Sequence, residues 1–189
     1  MPRAHDLETL LTRAPEEAAP LLLGSHLVSN VDGFEVRVRI NEVEAYKGED
    51  DPASHAFRGE TDRNRSMFDN PGTLYVYRSY GIHNCANSAA GPKGVGWGIL
   101  IRSGEVIDGG GFAARRRGRR TDLTDGPGKL CQALGITLEQ NGTDLLDPRS
   151  TVRLEPGDPP EFVMATPRVG VSKAQDRMWR FVTAVQLSA

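Results

Sequence analysis

The spacing of apolar residues predicts where the helices and strands of this chain lie. Residues 6–23 place leucine and alanine at intervals of three and four, as in an amphipathic helix. Asp6 is suited to cap the start of this helix, and Pro15 and Pro20 predict either a break or two shorter helices. A further helix is predicted over residues 127–135, which begin with a proline and end on a glycine.

Short runs of alternating or apolar residues predict the strands of a mostly antiparallel sheet. The longest alternation runs from Phe34 to Tyr46, after a turn at residues 30–33. Further strands are predicted at residues 73–80, 82–88, 98–102, 152–154, 161–165 and 180–185. The mixed order of helices and strands favours a single α+β domain over residues 1–189, in which helices flank the sheet.

Two polar segments show no clear period. Residues 47–71 are long for a loop inside a compact domain, and loops of that length are usually functional or disordered. Residues 108–126 contain three consecutive glycines and five arginines, and we expect them to be flexible. The run from Arg115 to Arg120 suits contacts with phosphate groups, although a solvated loop explains it equally well.

Composition narrows the classes of protein. The 21 glycines and 12 prolines among 189 residues are too few for a disordered or collagen-like chain. The longest apolar stretches fall far short of the ~20 residues that span a membrane. No basic region precedes an apolar one near the N-terminus, and two cysteines, Cys85 and Cys131, do not make a disulfide framework. We therefore expect a cytoplasmic protein with no membrane partner.

Charge is unevenly distributed along the chain. The net charge of −2 argues at first sight against a nucleic-acid partner. However, residues 61–130 carry 11 basic and 6 acidic side chains, whereas residues 1–60 carry 6 basic and 12 acidic ones. Because surface potential depends on local charge, the basic middle third is compatible with a nucleic-acid partner.

Two carboxylates follow an apolar row on the longest predicted strand. Side chains two residues apart share a face of a strand, so Glu42 and Glu44 continue the row that begins at Val36 unless a bulge intervenes. A carboxylate among apolar groups needs a partner or a raised pKa, and such a group is a candidate general base. Alternatively, the strand leaves the core at Asn41 and both carboxylates are solvated.

Three of the four tyrosines fall within six residues. By strand alternation Tyr75 and Tyr77 share one face, while Tyr80 lies on the opposite face beside the turn at Gly81. Such aromatic groups form stacking platforms for nucleic-acid bases. Tyrosine is also common in ordinary half-buried strands, but packing explains an aromatic residue at a hairpin tip less easily.

A metal site is a weaker interpretation of the polar residues. Asp50, Asp51 and His55, with Glu44 and His83, include the residue types that bind metals through oxygen and nitrogen. Their spacing matches no zinc-binding helix motif, and the two aspartates before a proline also suit a turn. The spacing therefore does not predict a metal site.

A series of short sequence blocks between about residues 20 and 182 together indicates a protein family. The blocks are Asn41-Glu-Val-Glu-Ala-Tyr46, Asp51-Pro-Ala-Ser-His55, Arg63-Asn-Arg-Ser-Met-Phe68, Pro71-Gly-Thr-Leu-Tyr-Val-Tyr77, Tyr80-Gly-Ile-His-Asn-Cys-Ala-Asn87, Leu100-Ile-Arg102, Gly126-Pro-Gly-Lys-Leu-Cys-Gln-Ala-Leu134 and Arg168-Val-Gly-Val171. In this order they strongly resemble the alkyladenine (3-methyladenine) DNA glycosylases. The resemblance implies a monofunctional enzyme that hydrolyses the N-glycosidic bond of a damaged purine in double-stranded DNA. We expect this enzyme to act as a monomer and to need no metal or organic cofactor.

The resemblance also implies a role for several residues. Glu44 would activate the attacking water, with Arg102 and the main chain near Val169 helping to hold it. The sheet would be curved, and a β-hairpin would insert into DNA. The remaining implied site consists of Tyr46, His55 and Tyr77 around the extruded base, Asn87 at the pocket floor excluding normal guanine, and Tyr80 filling the gap left in the duplex. The expected contacts with the DNA backbone are made by Arg63, Arg65, Arg78 and Lys129.

Two other functions remain open at this point. A non-catalytic protein that binds damaged nucleic acid would keep the aromatic residues but would have no use for a base at Glu44. A metal-dependent hydrolase would instead use Asp50, Asp51 and His55, and a strong chelator would inhibit it.

Overall fold

The computed structural model describes residues 6–183, in which helices pack on a sheet. The helices are α1 (Leu7–Leu11), α2 (Pro15–Leu22), α3 (Gly110–Arg117) and α4 (Pro127–Leu134). The strands are β1 (His26–Ser29), β2 (Val36–Lys47), β3 (Leu74–Ser79), β4 (His83–Ala90), β5 (Trp97–Asp108), β6 (Val152–Glu155), β7 (Val163–Thr166) and β8 (Arg180–Thr183). The last two residues of the strand predicted at 180–185 lie outside the described residues. Across residues 6–183, none of the helices is long and apolar enough to cross a membrane.

The sheet is antiparallel and is built around β2. Neighbouring strands follow the order β3, β4, β5, β2, β1, β6, and β8 pairs with both β2 and β7. One edge of β2 pairs with β5, whereas its other edge pairs first with β1 and then with β8. The sheet therefore divides along β2 and curls. This arrangement confirms the predicted α+β class with a mostly antiparallel, curved sheet.

The two faces of the sheet have different environments. One face packs against α1, α2 and α4 in the main apolar core, to which alternate residues of the strands contribute. The residues between them point to the other face, where a smaller cluster contains Ala56, Met67, Phe68 and Tyr75. The site described below lies on this second face.

A bulge in β2 exchanges the faces of its two halves. Ile40 lies opposite Gly104 of β5. Glu42, two residues further along β2, lies opposite Ser103, which is adjacent to Gly104 in β5. Asn41 is therefore an extra residue in β2. The Asn41 side chain is buried and its Oδ1 accepts a hydrogen bond from the Ser103 hydroxyl at 2.5 Å.

Because of this bulge, the two carboxylates do not lie where the alternation predicts. Beyond it, Val43 rather than Glu42 or Glu44 continues the core row that begins at Val36. The expectation that both carboxylates face the apolar core is therefore wrong. The solvated alternative is wrong as well, because Glu42 is only 3% exposed and Glu44 is not exposed at all.

The helix ends confirm several predictions. Asp6 accepts a hydrogen bond of 3.2 Å from the N–H two residues ahead and so caps α1, and Pro15 opens α2. The first predicted segment therefore forms two helices. Likewise α4 opens with Pro127, and Gly135 follows its end with a φ of 71°, a left-handed conformation that glycine adopts readily.

Residues 108–126 are more ordered than predicted, because they contain α3. The Arg116 guanidinium donates hydrogen bonds to the main-chain carbonyls of Val31 at 2.7 Å, Ala133 at 3.2 Å and Phe34 at 3.3 Å. This arginine thus attaches α3 to the body of the protein. The expectation of a flexible segment is wrong for this helix.

The long loop at residues 47–71 is held by its own side chains. The buried Asn64 amide donates to the carbonyls of His55 at 3.0 Å and Gly59 at 3.1 Å. Its oxygen accepts the N–H of Thr61 at 2.7 Å. Asn64 therefore closes the loop on itself and places His55 above the second face of the sheet.

Candidate active site

A cavity of about 480 Å³ opens on the face of the sheet opposite the helices. Its lining comes from β2, β3, β4 and β5, from the loop at residues 47–71 and from residues 169–173. A volume between roughly 300 and 1,000 Å³ is typical of small-molecule sites. The lining includes Tyr46, His55, Arg63, Met67, Tyr75, Tyr77, Tyr80, Cys85, Asn87, Leu100, Arg102 and Val169.

Aromatic rings group together on one side of this cavity. Tyr75 and Tyr77 alternate onto one face of β3 and stack with their ring centroids 5.7 Å apart. The His55 ring meets Tyr77 edge-on at 4.4 Å, and its Nδ1 lies 3.3 Å from the Tyr75 hydroxyl. Burial, and then the charge of Arg63, lower the pKa of His55. The imidazole is therefore neutral near pH 7 and adds no positive charge to the cavity.

The Glu44 carboxylate is wholly buried beside the cavity. Its Oε1 accepts the main-chain N–H of Val169 at 2.7 Å, and its Oε2 accepts the Tyr46 hydroxyl at 2.7 Å. An Nη1 atom of Arg102 lies 3.5 Å from Oε1. Burial, and then the Glu44 charge, raise the pKa of Tyr46, so this phenol remains a hydrogen-bond donor. The structure thus brings these four sequence-predicted residues together.

Arg102 is held by a second buried carboxylate. Its Nε donates to Oε1 of Glu42 at 2.7 Å, and the same oxygen accepts Nε of Arg180 at 2.6 Å. Burial lowers the pKa of Arg102, but the charges of Glu44 and Glu42 outweigh it and raise the pKa overall. Arg102 is therefore a charged group in a fixed position at the edge of the cavity.

A buried ion pair lies behind the Tyr46 ring. Arg168 donates to the two carboxylate oxygens of Asp51 at 2.5 and 2.9 Å, and also to the Ala45 carbonyl at 2.9 Å. Neither side chain of this pair is exposed. The Arg168 guanidinium lies 4.7 Å from the ring centroid of Tyr46 and 5.3 Å from that of Trp179. Arg168 therefore joins the segment that follows β7 to β2, through Ala45, and to the loop at residues 47–71, through Asp51.

Asp51 is not a suitable metal ligand, because Arg168 already occupies both of its carboxylate oxygens. Burial raises the pKa of Asp51, but the hydrogen bonds and charge of Arg168 outweigh it, so the pKa lies below its usual value. Asp50 and His83 are exposed and belong to separate parts of the surface. Within residues 6–183, no group of three or more histidine, cysteine, aspartate or glutamate side chains is arranged to hold a metal ion. A hydrolase that uses Asp50, Asp51 and His55 lacks its ligand set.

Asn87 lines the cavity and is nearly buried, at 4% exposure. Its amide nitrogen donates to the main-chain carbonyl of Tyr75 at 3.0 Å. This hydrogen bond crosses from β4 to β3 and holds the side chain in one orientation. Asn87 is thus a fixed polar group among the aromatic and apolar residues of the cavity.

The hairpin between β3 and β4 carries Tyr80 into solvent. Tyr80 is 92% exposed and has a φ of 50°, while the following Gly81 has a φ of 73°. Tyr80 lies in the turn itself, just beyond the end of β3, rather than on a face of the strand. A non-glycine residue in this conformation is uncommon, and no packing within residues 6–183 explains so exposed an aromatic ring.

The four basic residues predicted to contact DNA lie at different places. Arg63 and Arg78 line the cavity, and Arg63 donates to the Arg78 carbonyl at 3.3 Å. Arg65 is exposed and pairs with an aspartate three residues earlier at 2.5 Å. Lys129 contacts both carboxylate oxygens of Asp122, at 2.8 and 2.9 Å. Only the first two are positioned beside the cavity.

The sequence predicts no role for Arg168 or Arg180, and it indicates Glu42 only together with Glu44, as a candidate general base. Arg168 stands directly before Val169 in the block Arg168-Val-Gly-Val171. Apart from this position, the sequence does not indicate that Arg168 belongs to the site. The partners of the two arginines lie 117 and 138 residues away in the sequence. Nothing in the local sequence distinguishes these buried arginines from exposed ones.

The geometry combines two capabilities. Aromatic rings beside a neutral histidine can bind a flat, electron-poor ring through stacking and cation–π attraction. A buried carboxylate at the same cavity can take a proton from a water molecule, with a charged arginine beside it. Together they suit hydrolysis of a bond at the edge of a bound aromatic ring.

Comparison with known proteins agrees with this chemistry. The chain matches the family model of methylpurine-DNA glycosylase over residues 9–186. It is 49% identical to a protein of Rhodococcus jostii (strain RHA1) named "Putative 3-methyladenine DNA glycosylase", over 93% of this chain and 80% of that relative. Proteins of the same name from Mycobacterium tuberculosis (strain H37Rv) and Mycolicibacterium fortuitum are 48% and 51% identical, over 88% of this chain and 83% and 87% of their own lengths. The chain therefore belongs to the methylpurine-DNA glycosylase family. These are DNA-repair enzymes that hydrolyse N-glycosyl bonds, and the resemblance found in the sequence is confirmed.

Replacing Asp51 by asparagine should lower the free energy of unfolding by about 3–5 kcal/mol, because the buried Arg168 would lose its counter-charge. The measurement is urea unfolding at pH 7, followed by tryptophan fluorescence. Asp147→Asn is the matched control, since Asp147 also contacts an arginine through both oxygens, at 3.0 and 2.8 Å, but Arg149 is 88% exposed. The control should unfold close to the wild type.

The difference between wild type and Asp51→Asn should also depend on pH. The native pKa of Asp51 is below its ordinary value of 3.8, so its contribution is complete above that value and is lost as the pH falls through the native pKa. The two unfolding curves should therefore approach each other in acid. Similar stabilities of the two asparagine variants at pH 7 would contradict the assignment of Asp51 as a buried structural ion-pair partner.

Proposed function

We propose that this protein binds double-stranded DNA, turns a damaged purine of the 3-methyladenine type out of the helix and hydrolyses its N-glycosidic bond. Hypoxanthine and ethenoadenine are neutral purines of similar flat shape and belong to the proposed range. The observation that carries the proposal is the buried Glu44 carboxylate, fixed by Val169 and Tyr46 at the edge of an aromatic cavity. The products are the free base and an abasic site.

Glu44 is the proposed general base. A carboxylate has about four acceptor positions, and the contacts from Val169, Tyr46 and Arg102 use three of them, so one remains for the proposed water molecule. In the proposed reaction the water oxygen bonds to C1′ while Glu44 takes a proton. The bond between C1′ and the base breaks, and the base leaves with its electron pair. An alkylated purine starts with a positive charge, so its departure needs little help from an acid.

The aromatic residues are the proposed stacking partners of the base. Tyr46, His55 and Tyr77 line the cavity, and tyrosine faces attract a cationic ring. The lowered pKa of His55 supports this role, because a neutral imidazole does not repel a cation. The same rings can stack on neutral purines, with less electrostatic attraction.

The hairpin and the nearby arginines are the proposed DNA contacts. Turning out a nucleotide costs a few kcal/mol, and less at a damaged pair. The exposed ring of Tyr80 can fill the space that the base leaves and so offset part of this cost. Arg63 and Arg78, at the same mouth of the cavity, are suited to phosphate contacts, with Arg65 and Lys129 further away.

Glu44→Gln should lower the rate of base release by roughly 10²–10⁴-fold, because glutamine keeps the shape of the side chain but cannot take the proton. Affinity for lesion-containing duplex should stay within about threefold, since no DNA-contacting group changes. The measurement is single-turnover release of hypoxanthine, and of 3-methyladenine from freshly methylated DNA, together with equilibrium binding. Both assays contain EDTA, so that loss of activity in the wild type would reveal a metal requirement.

Glu105→Gln is the matched control for this variant. Glu105 is an exposed residue of β5 that pairs with Arg39 at 3.5 Å, so the same chemical change there should leave release unaffected. Normal turnover by Glu44→Gln would contradict the proposed mechanism.

Tyr80→Ala should weaken binding to a lesion duplex by roughly tenfold or more, because stacking contributes about 1–3 kcal/mol per base. Tyr80→Phe keeps the ring and should bind as the wild type does. Fluorescence anisotropy at fixed salt, on duplexes with and without hypoxanthine, measures the effect. Equal affinity of the alanine and phenylalanine variants would show that the ring does not enter the duplex.

Asn87→Gly should allow release of normal guanine, because the amide that meets the exocyclic amino group in the proposed pose would be absent. Asn84→Gly is the matched control, since Asn84 lies on the opposite face of β4 and donates to the Ile136 carbonyl at 3.3 Å. Guanine release from undamaged duplex is measured for both variants over a long incubation. Continued exclusion of guanine by Asn87→Gly would place discrimination elsewhere in the cavity.

A further inference from the structure

The ring of Tyr46 contacts both the cavity and a buried cation. It lines the cavity, whereas the guanidinium of Arg168 lies 4.7 Å from its centroid and does not line the cavity. A purine stacked on the cavity side would therefore share this ring with a permanent cation on the other side. Because cation–π attraction is electrostatic, a positive charge behind the ring opposes binding of a second one in front of it.

Asp51 neutralises this charge. Both of its oxygens accept hydrogen bonds from Arg168, and both side chains are fully buried. Water cannot screen the pair in this position, so the counter-charge must come from the protein. Arg177 is the next cation, with its Nη1 3.7 Å from Oδ1 of Asp51, and it lies over the Trp179 ring.

We infer that Asp51 is a specificity-determining residue: by neutralising Arg168 behind Tyr46, it allows the cavity to accept cationic purines as well as neutral ones. This inference rests on the proposed function, because it requires the base to stack against Tyr46. With the ring centroid 4.7 Å from Arg168 and a stacking separation of roughly 3.5–4 Å, the two cations would lie roughly 8 Å apart. At an effective dielectric constant of about 20, an unneutralised Arg168 would disfavour a cationic base by roughly tenfold or more.

A purely structural role for the pair makes a different prediction. Loss of the ion pair would then disturb Tyr46 and the neighbouring Val169 amide and would slow release of every base to a similar extent. The discriminating quantity is therefore the ratio of release rates for a cationic and a neutral purine. 3-Methyladenine and hypoxanthine serve as this pair, because both lack the exocyclic amino group of guanine and differ in charge.

The experiment measures single-turnover release of both bases by the wild type and three variants whose folding is checked by circular dichroism. Asp51→Asn should lower the ratio of 3-methyladenine to hypoxanthine release by roughly tenfold, since it leaves Arg168 charged and unneutralised. Arg168→Gln should raise the ratio, since it removes the cation, and Arg177 remains beside Asp51 to support the carboxylate. Asp147→Asn makes the same chemical change at an exposed pair and should leave the ratio unchanged.

Opposite shifts of the ratio in Asp51→Asn and Arg168→Gln would support the inference. If Asp51→Asn does not fold, Arg168→Gln decides alone: a raised ratio supports the inference, and an unchanged or lowered ratio overturns it. Release of both bases by the wild type, with the same ratio in every folded variant, would overturn this inference and leave the proposed function standing. Release of neither base by the wild type would overturn both.

Discussion

A buried carboxylate must have a hydrogen-bonding or charged partner, and this requirement organises the site. Glu42, Glu44 and Asp51 are all buried on or beside one face of the sheet. Their partners come from distant parts of the chain: Arg102 from β5, Arg180 from β8, and Arg168 with the Val169 amide from the segment between β7 and β8. The carboxylates therefore connect β2 and the loop that follows it to three other segments of the chain. Removing one of these partners would leave a buried charge without compensation. For this reason each of the three carboxylates has at least two partners.

The bulge in β2 decides which face these carboxylates occupy, and the alternation of residues in the sequence does not predict this bulge. Alternation correctly located the strand, but it assumed a regular strand and so placed Glu42 and Glu44 on the wrong face. One extra residue at Asn41 moves the acidic row to the cavity side. A signal for this was present in Gly104, because an isolated glycine within a strand often marks a bulge. A Cβ atom at Gly104 would lie 2.3 Å from Cγ1 of Val38, so only glycine allows β2 and β5 to approach there. The sequence does not say which partner strand the glycine meets.

Helix ends and strand positions were largely predictable, because caps and alternation are local properties. The cap at Asp6 and the left-handed Gly135 are examples. The order of α3 was not predictable, because it depends on Arg116 reaching carbonyls up to 85 residues away. The residues of the cavity could be named from resemblance to a family, yet the ion pair behind Tyr46 could not. Its members gain their role only from burial and from a contact between segments 117 residues apart. Long-range pairing of charged residues is the part of this site that local pattern cannot supply.

The structure separates a fixed cavity from an exposed hairpin, and this separation bears on how the proposed reaction proceeds. The cavity walls come from β2, β3, β4 and β5, whose relative positions are set by antiparallel hydrogen bonding. Tyr46, Glu44 and Arg102 have further partners that restrict their movement. Tyr80, in contrast, stands in solvent on a turn with a positive φ. Because the proposed catalytic groups are already held in place, the DNA undergoes the larger rearrangement in the proposed reaction. A base that is weakly paired leaves the duplex at lower cost, so selection for damage begins before the base reaches the cavity. In the proposed reaction, the cavity then needs only to distinguish purines by shape at Asn87 and by charge at Tyr46.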